Sequence, residues 1–142
     1  MDLTLKGIKN VNHWKKAGIS LPDYDVEKAQ EKARLSPRWV HFGIGNIFRV
    51  FVGGIADLLI GQGELDRGLT CVEAFDYEIV DKICEPFDNL VLSVILKGNG
   101  ERDIRVLGSL SESLKADFTI SGSFKRLSEI FCSKDLQLIS FT

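Results

Sequence analysis

No stretch of this sequence approaches the roughly 20 consecutive apolar residues that cross a bilayer. The first residues also lack the charged-then-apolar layout of a secretory signal. A cytoplasmic protein without a membrane partner is therefore expected. Cysteine is scarce: Cys71, Cys84 and Cys132 form an odd set with no C-x-x-C spacing. They are read as reduced core thiols rather than as a disulfide framework. Histidine is scarcer, with His13 and His41 alone and no spaced Cys/His or carboxylate cluster, so no metal site is expected. Charge of one sign is missing too: 18 Lys and Arg stand against 20 Asp and Glu, a net charge of −2 without a basic run. Such a surface gives no electrostatic reason to bind nucleic acid. Neither a G-x-S-x-G elbow nor a G-x-x-x-x-G-K-[ST] loop occurs, which removes the serine hydrolase and P-loop readings.

What remains is an ordinary globular composition, 44% hydrophobic and 27% charged over 142 residues, enough for one domain. Residues 1–36 read as a polar leader, broken by Gly7, Gly18 and Pro22, that drapes over the domain. Within it Tyr24 to Arg34 is rich in helix formers and predicts one short surface helix, stopped at Ser36-Pro37. Residues 37–142 alternate strand-like and helix-like pieces. Trp39 to Ile44 is the first strand. Asn46 to Ile60 is a helix with Ile47, Phe51, Ile55 and Leu58/Leu59 as its apolar stripe. Leu69 to Phe75 is a strand, and Asp76 caps a short helix through Ile79, Val80 and Ile83 that stops at Pro86. Leu90 to Leu96 and Ile104 to Leu110 form a hairpin about the Lys97–Gly100 turn. A helix capped by Ser123 carries Phe124, Leu127, Ile130 and Phe131, and Leu136 to Phe141 is the last strand. The order β-α-β-α-β-β-α-β predicts an α/β fold: a mostly parallel sheet with helices on both faces and an inserted antiparallel hairpin.

The candidate site is the stretch from the first strand into its helix, where Gly43 and Gly45 flank Ile44. A helix N-terminus holds phosphate because its first N–H groups lack helical partners and the helix dipole is positive there. Glycines let the turn close and let a pyrophosphate approach bare main chain. The third glycine of G-x-G-x-x-G is absent, since Phe48 occupies its place. The spacing alone therefore fits a dinucleotide loop and a plain strand-to-helix turn equally. Glu73, at the end of the second strand, stands where a carboxylate binds adenosine ribose hydroxyls in this architecture. Arg49 stands where it would meet a phosphate. Asp76 reads as a helix cap, His41 as a satisfied strand residue and His13 as structural.

Taken together, "ISLPDYD" (Ile19 to Asp25), "VHFGIGNIFR" (Val40 to Arg49), "RVLGSL" (Arg105 to Leu110) and "LQLISFT" (Leu136 to Thr142) resemble the polyol-specific long-chain dehydrogenases, the family of mannitol dehydrogenase and fructuronate reductase. The G-x-G-x-x-x-R form ending in Arg49 suits that family. The resemblance implies a Rossmann domain binding NAD or NADP, joined in the whole enzyme to a C-terminal, mostly helical substrate domain. It implies metal-free hydride transfer between the nicotinamide and a sugar alcohol, keto sugar or uronate. Gly43, Gly45, Asn46 and Arg49 match the family's loop, with Ile47 and Phe48 between them also expected at the cofactor; Glu73 falls on its acid, and Ser140 to Thr142 on the strand leading toward the nicotinamide, with Thr142 expected at the cofactor.

This sequence departs from the family in having Ile47, Phe48 and Phe51 where an aromatic-His-Arg-x-His pattern is common. The family's catalytic lysine, in K-x-x-x-x-N-x-x-H, and its T-E-K-G-Y stretch have no counterpart here, so no catalytic residue is assigned. The expectation is a cofactor domain cut near Thr142 and inactive by itself. Glu73 favours NAD, because a carboxylate repels a 2′-phosphate, while Arg67 in the preceding loop is the candidate partner that keeps NADP open. The competing expectation is a non-catalytic Rossmann scaffold that has lost its nucleotide. A flavin or methyl-donor ligand is a weaker third reading.

Overall fold

A computed structural model describes residues 2–142. The leader folds as three helices. In α1 (Leu5–Ile8) the Thr4 hydroxyl accepts from Gly7 N–H at 3.0 Å, α2 (Val11–Lys16) buries Trp14, and α3 (Val26–Leu35) is capped by Asp25, which accepts from Lys28 N–H at 3.0 Å. Such caps satisfy donors that a helix leaves open in its first turn. α3 corrects the expectation of a surface helix. Val26, Ala29, Gln30 and Ala33 are buried, and Gln30 donates to the carbonyls of Asp88 and Leu110 at 2.9 and 3.1 Å. The leader therefore does more than drape: Trp14 and Val26 share a small core with Leu90 and Val106 of the main body.

β1 (Trp39–Phe42) runs through a short loop into one continuous helical stretch, 46–61, which begins with wide π turns over Phe48–Val52 and continues as α4 (Gly53–Gly61). β2 (Leu69–Glu73) leads to helical turns over Val80–Cys84 and Glu85–Phe87, ended by Asp88 in the left-handed region. β3 (Val91–Leu96) and β4 (Arg102–Leu107) pair antiparallel, with Gly100 at φ +86° closing their turn. β5 (Leu110–Lys115), α5 (Ser121–Phe131) and β6 (Leu138–Phe141) complete the chain. The strands β5-β2-β1-β6 form one parallel sheet, and the β3–β4 hairpin forms a second, two-stranded sheet. This is the expected α/β architecture.

The period of two along the strands sorts the core. Leu69 and Cys71 of β2 pack with Phe48, Ala56, Val80 and Leu110 on one face, while Val40, Val72 and Leu114 pack with Ile130 on the other. Truncating Leu110, which is fully buried, to Ala is expected to cost about 2–5 kcal/mol.

Several local expectations are corrected. The run Ile104 to Leu110 is not one strand. The chain turns at Gly108, whose N–H donates to Asp57 Oδ1 at 2.7 Å and where a Cβ would sit 2.6 Å from Val26. The strand that follows, β5, lies at the edge of the parallel sheet and is masked in the sequence by its serines. Ser111 and Ser113 are buried with Leu110 and Leu114, because both faces of the strand are covered. The stripe Ile47, Phe51, Ile55 and Leu58 faces outward, at 77, 66, 45 and 55% exposure. Phe48, Gly53, Ala56 and Ile60 face inward instead, because small residues let the helix settle on the sheet. A Cβ on Gly53 would lie 3.0 Å from Leu110.

α5 begins at Ser121, and the Ser123 hydroxyl, expected as its cap, faces Lys115 N–H at 3.4 Å. Asp76 opens its turn through its carbonyl, which accepts from Ile79 N–H at 3.1 Å, rather than as a side-chain cap. Cys71 and Cys84 are buried free thiols whose pKa burial pushes up, whereas Cys132 is exposed and is not a core thiol.

Candidate functional site

The site is built where β1 ends. Gly43 has φ +99°, and its N–H donates to the Val72 carbonyl at 2.8 Å, so the turn is bolted to β2. On its other side, a Cβ at Gly43 would lie 2.8 Å from Thr142 Oγ1 and 2.9 Å from the Thr142 carbonyl oxygen. A side chain is thus excluded twice, by the backbone conformation, which costs an L-residue about 1–2 kcal/mol, and by the end of β6. Gly45 is different. Its φ is ordinary and no heavy atom would lie within 4 Å of an added Cβ, so the main chain there faces open space. The Arg49 N–H to Gly45 carbonyl bond, at 3.0 Å, begins the helical ladder and leaves the N–H groups of Gly45, Asn46 and Ile47 ahead of it without helical partners.

Side chains surround this turn unequally. Asn46 and Ile47 are exposed, and Asn46 Oδ1 accepts from Arg49 Nη2. Arg49 is half-buried, and its Nε–H is a buried donor with no partner among the described residues. Leaving such an enclosed donor unmet is costly, so a shift of the Arg49 side chain toward an acceptor at the turn would be favourable. Phe48 is buried, its ring stacked on His41 with centroids 3.6 Å apart and planes 1° apart. Phe48 can therefore meet a ligand only through its main chain.

His41 itself is enclosed. Trp39 Nε1–H donates to Ser140 Oγ at 2.7 Å, and Ser140 Oγ lies 2.7 Å from His41 Nδ1. His41 Nε2 lies 3.1 Å from Thr142 Oγ1, so each ring nitrogen is paired with a hydroxyl of β6 or its end. Burial lowers the His41 pKa, in keeping with a neutral ring that ties β1 to β6. The expected strand role fits this geometry.

Glu73 is buried at the end of β2, and both carboxylate oxygens are turned onto main chain. Oε2 accepts from Ile44 N–H at 3.1 Å, and Oε1 accepts from Ala74, Phe75 and Asp76 N–H at 3.0, 3.0 and 3.4 Å. Burial raises its pKa, but these donors outweigh it and hold the carboxyl below its usual range. A fixed negative charge thus sits against the glycine turn. Arg67 lies elsewhere. It precedes β2 at the opposite end of the sheet, bound to Asp66 and to the Ser36 carbonyl at 2.8 Å each, which corrects its candidacy as a 2′-phosphate partner. Sequence reasoning missed the closeness of Thr142 to Gly43 and the orphaned Arg49 Nε, both of which arise from packing between distant segments. No group of three or more metal-ligating side chains occurs among the described residues, and no helix there is long and apolar enough to cross a membrane.

A central parallel strand that passes through a glycine turn into a helix, with an acid at the end of the neighbouring strand, defines a Rossmann-type domain of the dehydrogenase kind. No protein-family model matches the chain. It is 39% identical over all 142 residues to D-mannonate oxidoreductase of Thermotoga maritima, and it spans 26% of that protein's length. In fold it matches a substrate-free D-sorbitol dehydrogenase (TM-score 0.71, 22% identity, 89% of this chain and 24% of that one). It also matches the Pseudomonas fluorescens mannitol 2-dehydrogenase ternary complex with NAD and D-mannitol (TM-score 0.71, 23% identity, 88% and 24%). The chain is thus similar over its whole length to about a quarter of a mannonate oxidoreductase, and in fold to a part of each of two sugar-alcohol dehydrogenases.

Proposed function

We propose that this chain is the NAD-binding part of an oxidoreductase acting on a polyol or on the corresponding keto sugar or uronate. The observation that carries the reading is the turn itself. Gly45 faces open space, the N–H groups of Gly45, Asn46 and Ile47 precede the helical ladder, and Arg49 Nε–H lacks an acceptor beside them. Those donors suit a diphosphate, which needs several N–H groups converging on a positive helix end. Glu73 would accept from one adenosine ribose hydroxyl through the lone pair of Oε2 that Ile44 N–H leaves open, since Oε1 already takes three main-chain donors. The NAD-bound relative, similar in fold, supports the same ligand here.

When bound, the dinucleotide supplies the carbon that exchanges hydride with the substrate carbinol. The residues of this chain bind and orient it. Thr142, fixed by its N–H to the Phe42 carbonyl at 3.1 Å and by His41, would set the floor near the nicotinamide. NAD is preferred to NADP, because Glu73 at the end of β2, with Asp76 and Asp117 just past the ends of β2 and β5, would repel a 2′-phosphate.

The proton acceptor and the sugar pocket would come from the remainder of a longer protein, since His41 is buried and committed to two hydroxyls. The isolated chain is expected to show no turnover of D-mannitol or D-mannonate. Fluorescence titration with NADH tests the reading. Saturable binding supports it, whereas a folded protein that does not bind NADH would leave the non-catalytic scaffold, which the exposed Ile47 and Phe51 favour.

A further inference from the structure

A two-stranded sheet is marginal on its own and gains from a further strand, and the β3–β4 hairpin has one edge to offer. Lys97 N–H donates to the Glu101 carbonyl at 2.9 Å, and from that bond the antiparallel register turns the main chain of Ser93 and Ile95 toward Arg105 and Asp103 of β4. The outer edge of β4 is taken by Ser20, whose N–H donates to the Ile104 carbonyl at 3.0 Å and whose carbonyl accepts from Val106 N–H at 2.8 Å. On β3 the alternate residues Leu92, Val94 and Leu96 direct their N–H and C=O groups outward, where no partner meets them among the described residues. Their side chains share one face and are 43, 48 and 73% exposed.

Natural sheets blunt such an edge with a charge, a proline or a bulge. Val91–Leu96 carries none of these. The strand is also complementary to itself. A twofold axis through Val94 sets two copies of β3 antiparallel, with Val94 opposite Val94 of the partner subunit and Leu92 opposite the partner's Leu96. About six main-chain hydrogen bonds then form between the two edges, and the facing pairs on the exposed face are all apolar. Leu92 lines a cavity of about 210 Å³ with Leu3, Ile83 and Phe87, so the partner's Leu96 arrives beside an apolar hollow.

We propose that β3 is the surface through which two copies of this chain join, making one antiparallel sheet in the order β4-β3-β3-β4. The twofold axis uses each open edge once, so the assembly closes as a dimer and does not grow into a fibre. The proposal stands on the hairpin alone and does not depend on the nucleotide reading.

The test is sedimentation equilibrium of the whole chain, under reducing conditions that keep the exposed Cys132 from cross-linking copies. A monomer–dimer equilibrium with a Kd on the order of 10 µM is expected, the weak affinity of an interface this small. Val94→Lys sets two like charges against each other on the axis, and Leu96→Glu puts a carboxylate into an apolar pair. Both side chains are exposed, so each variant is expected to keep the wild-type Tm and to weaken the dimer at least tenfold. Hydrogen exchange on either side of the midpoint is expected to protect the amides of Leu92, Val94 and Leu96 in the dimer only. A wild type still monomeric about tenfold above that concentration overturns the proposal. So does a dimer that folded Val94→Lys or Leu96→Glu leaves intact, or protection that rises at Ile139 and Phe141 on the free edge of β6 instead.

Discussion

At the amino end of the parallel sheet charged side chains satisfy one another, whereas at the carboxyl end main-chain donors face outward. At the amino end, Asp66 accepts from Arg67 at 2.8 Å and lies 3.5 Å from both Arg38 and Lys32, while Ser36 bonds Asp135 at 2.6 Å. The Arg67 hydrogen bonds, ahead of the other nearby cations, hold the Asp66 carboxyl far below the usual range. At the carboxyl end the one buried carboxylate, Glu73, is occupied by N–H groups, and the turn beside it keeps donors unspent. The first end joins leader to sheet, and the second is left able to take a ligand. Sheets of this kind bind at their carboxyl ends because the helices that follow begin there.

The comparison breaks most severely at Gly43. Gly43→Ala forces an L-residue to φ +99° and pushes Thr142 away. A loss of about 2 kcal/mol or more is expected, seen as a fall in Tm of about 5–10 °C, together with loss of NADH binding in titration. Next comes Arg49→Met, which removes the unpaired donor but keeps much of the stem. NADH affinity is expected to fall about tenfold or more, with Tm nearly unchanged.

Acid titration sharpens the contrast between ends. The Glu73 pKa is depressed in the folded state, so its contribution is present above the ordinary value of 4.5 and is lost as pH falls through the folded value. Glu73→Gln should flatten that acid limb in urea melts taken across pH. His41 is depressed below 6.5, so the unfolded chain protonates first and stability declines as pH drops from 6.5 toward the folded value. His41→Gln should remove that earlier slope. The smallest effect on the ligand is expected from Arg67→Ala: the side chain is only 12% exposed and bonds Asp66 and the Ser36 carbonyl, so stability falls by about 1–3 kcal/mol while the ratio of NADH to NADPH affinity stays as it was. A changed ratio would bring Arg67 back to the site.

How much could be read beforehand depended on where each signal lay. The passage from Trp39-Val40 through Gly43 to a helix was legible because strand propensity, glycine and helical spacing follow one another locally. So was Glu73 as the acid at a strand end. β5 was illegible because Ser111 and Ser113 look solvated until helices cover both faces of the strand. The buried side of the helical stretch 46–61 was misread because Gly53 and Ala56, the residues that touch the sheet, carry no hydrophobic signal, while Ile47 and Phe51 carry a strong one and face out. The bond from Ile44 N–H to Glu73, the contact of Thr142 with Gly43 and the orphaned Arg49 Nε depend on packing between segments up to 99 residues apart, which no local pattern records.

The central claim is that main chain bared at Gly45 receives a diphosphate, and Gly45→Val tests it most directly. A Cβ at this position meets no protein atom within 4 Å and Gly45 is exposed, so the variant should fold with wild-type Tm. The account predicts that fluorescence titration will then find NADH binding weakened at least tenfold. A folded Gly45→Val variant with wild-type affinity for NADH would contradict it.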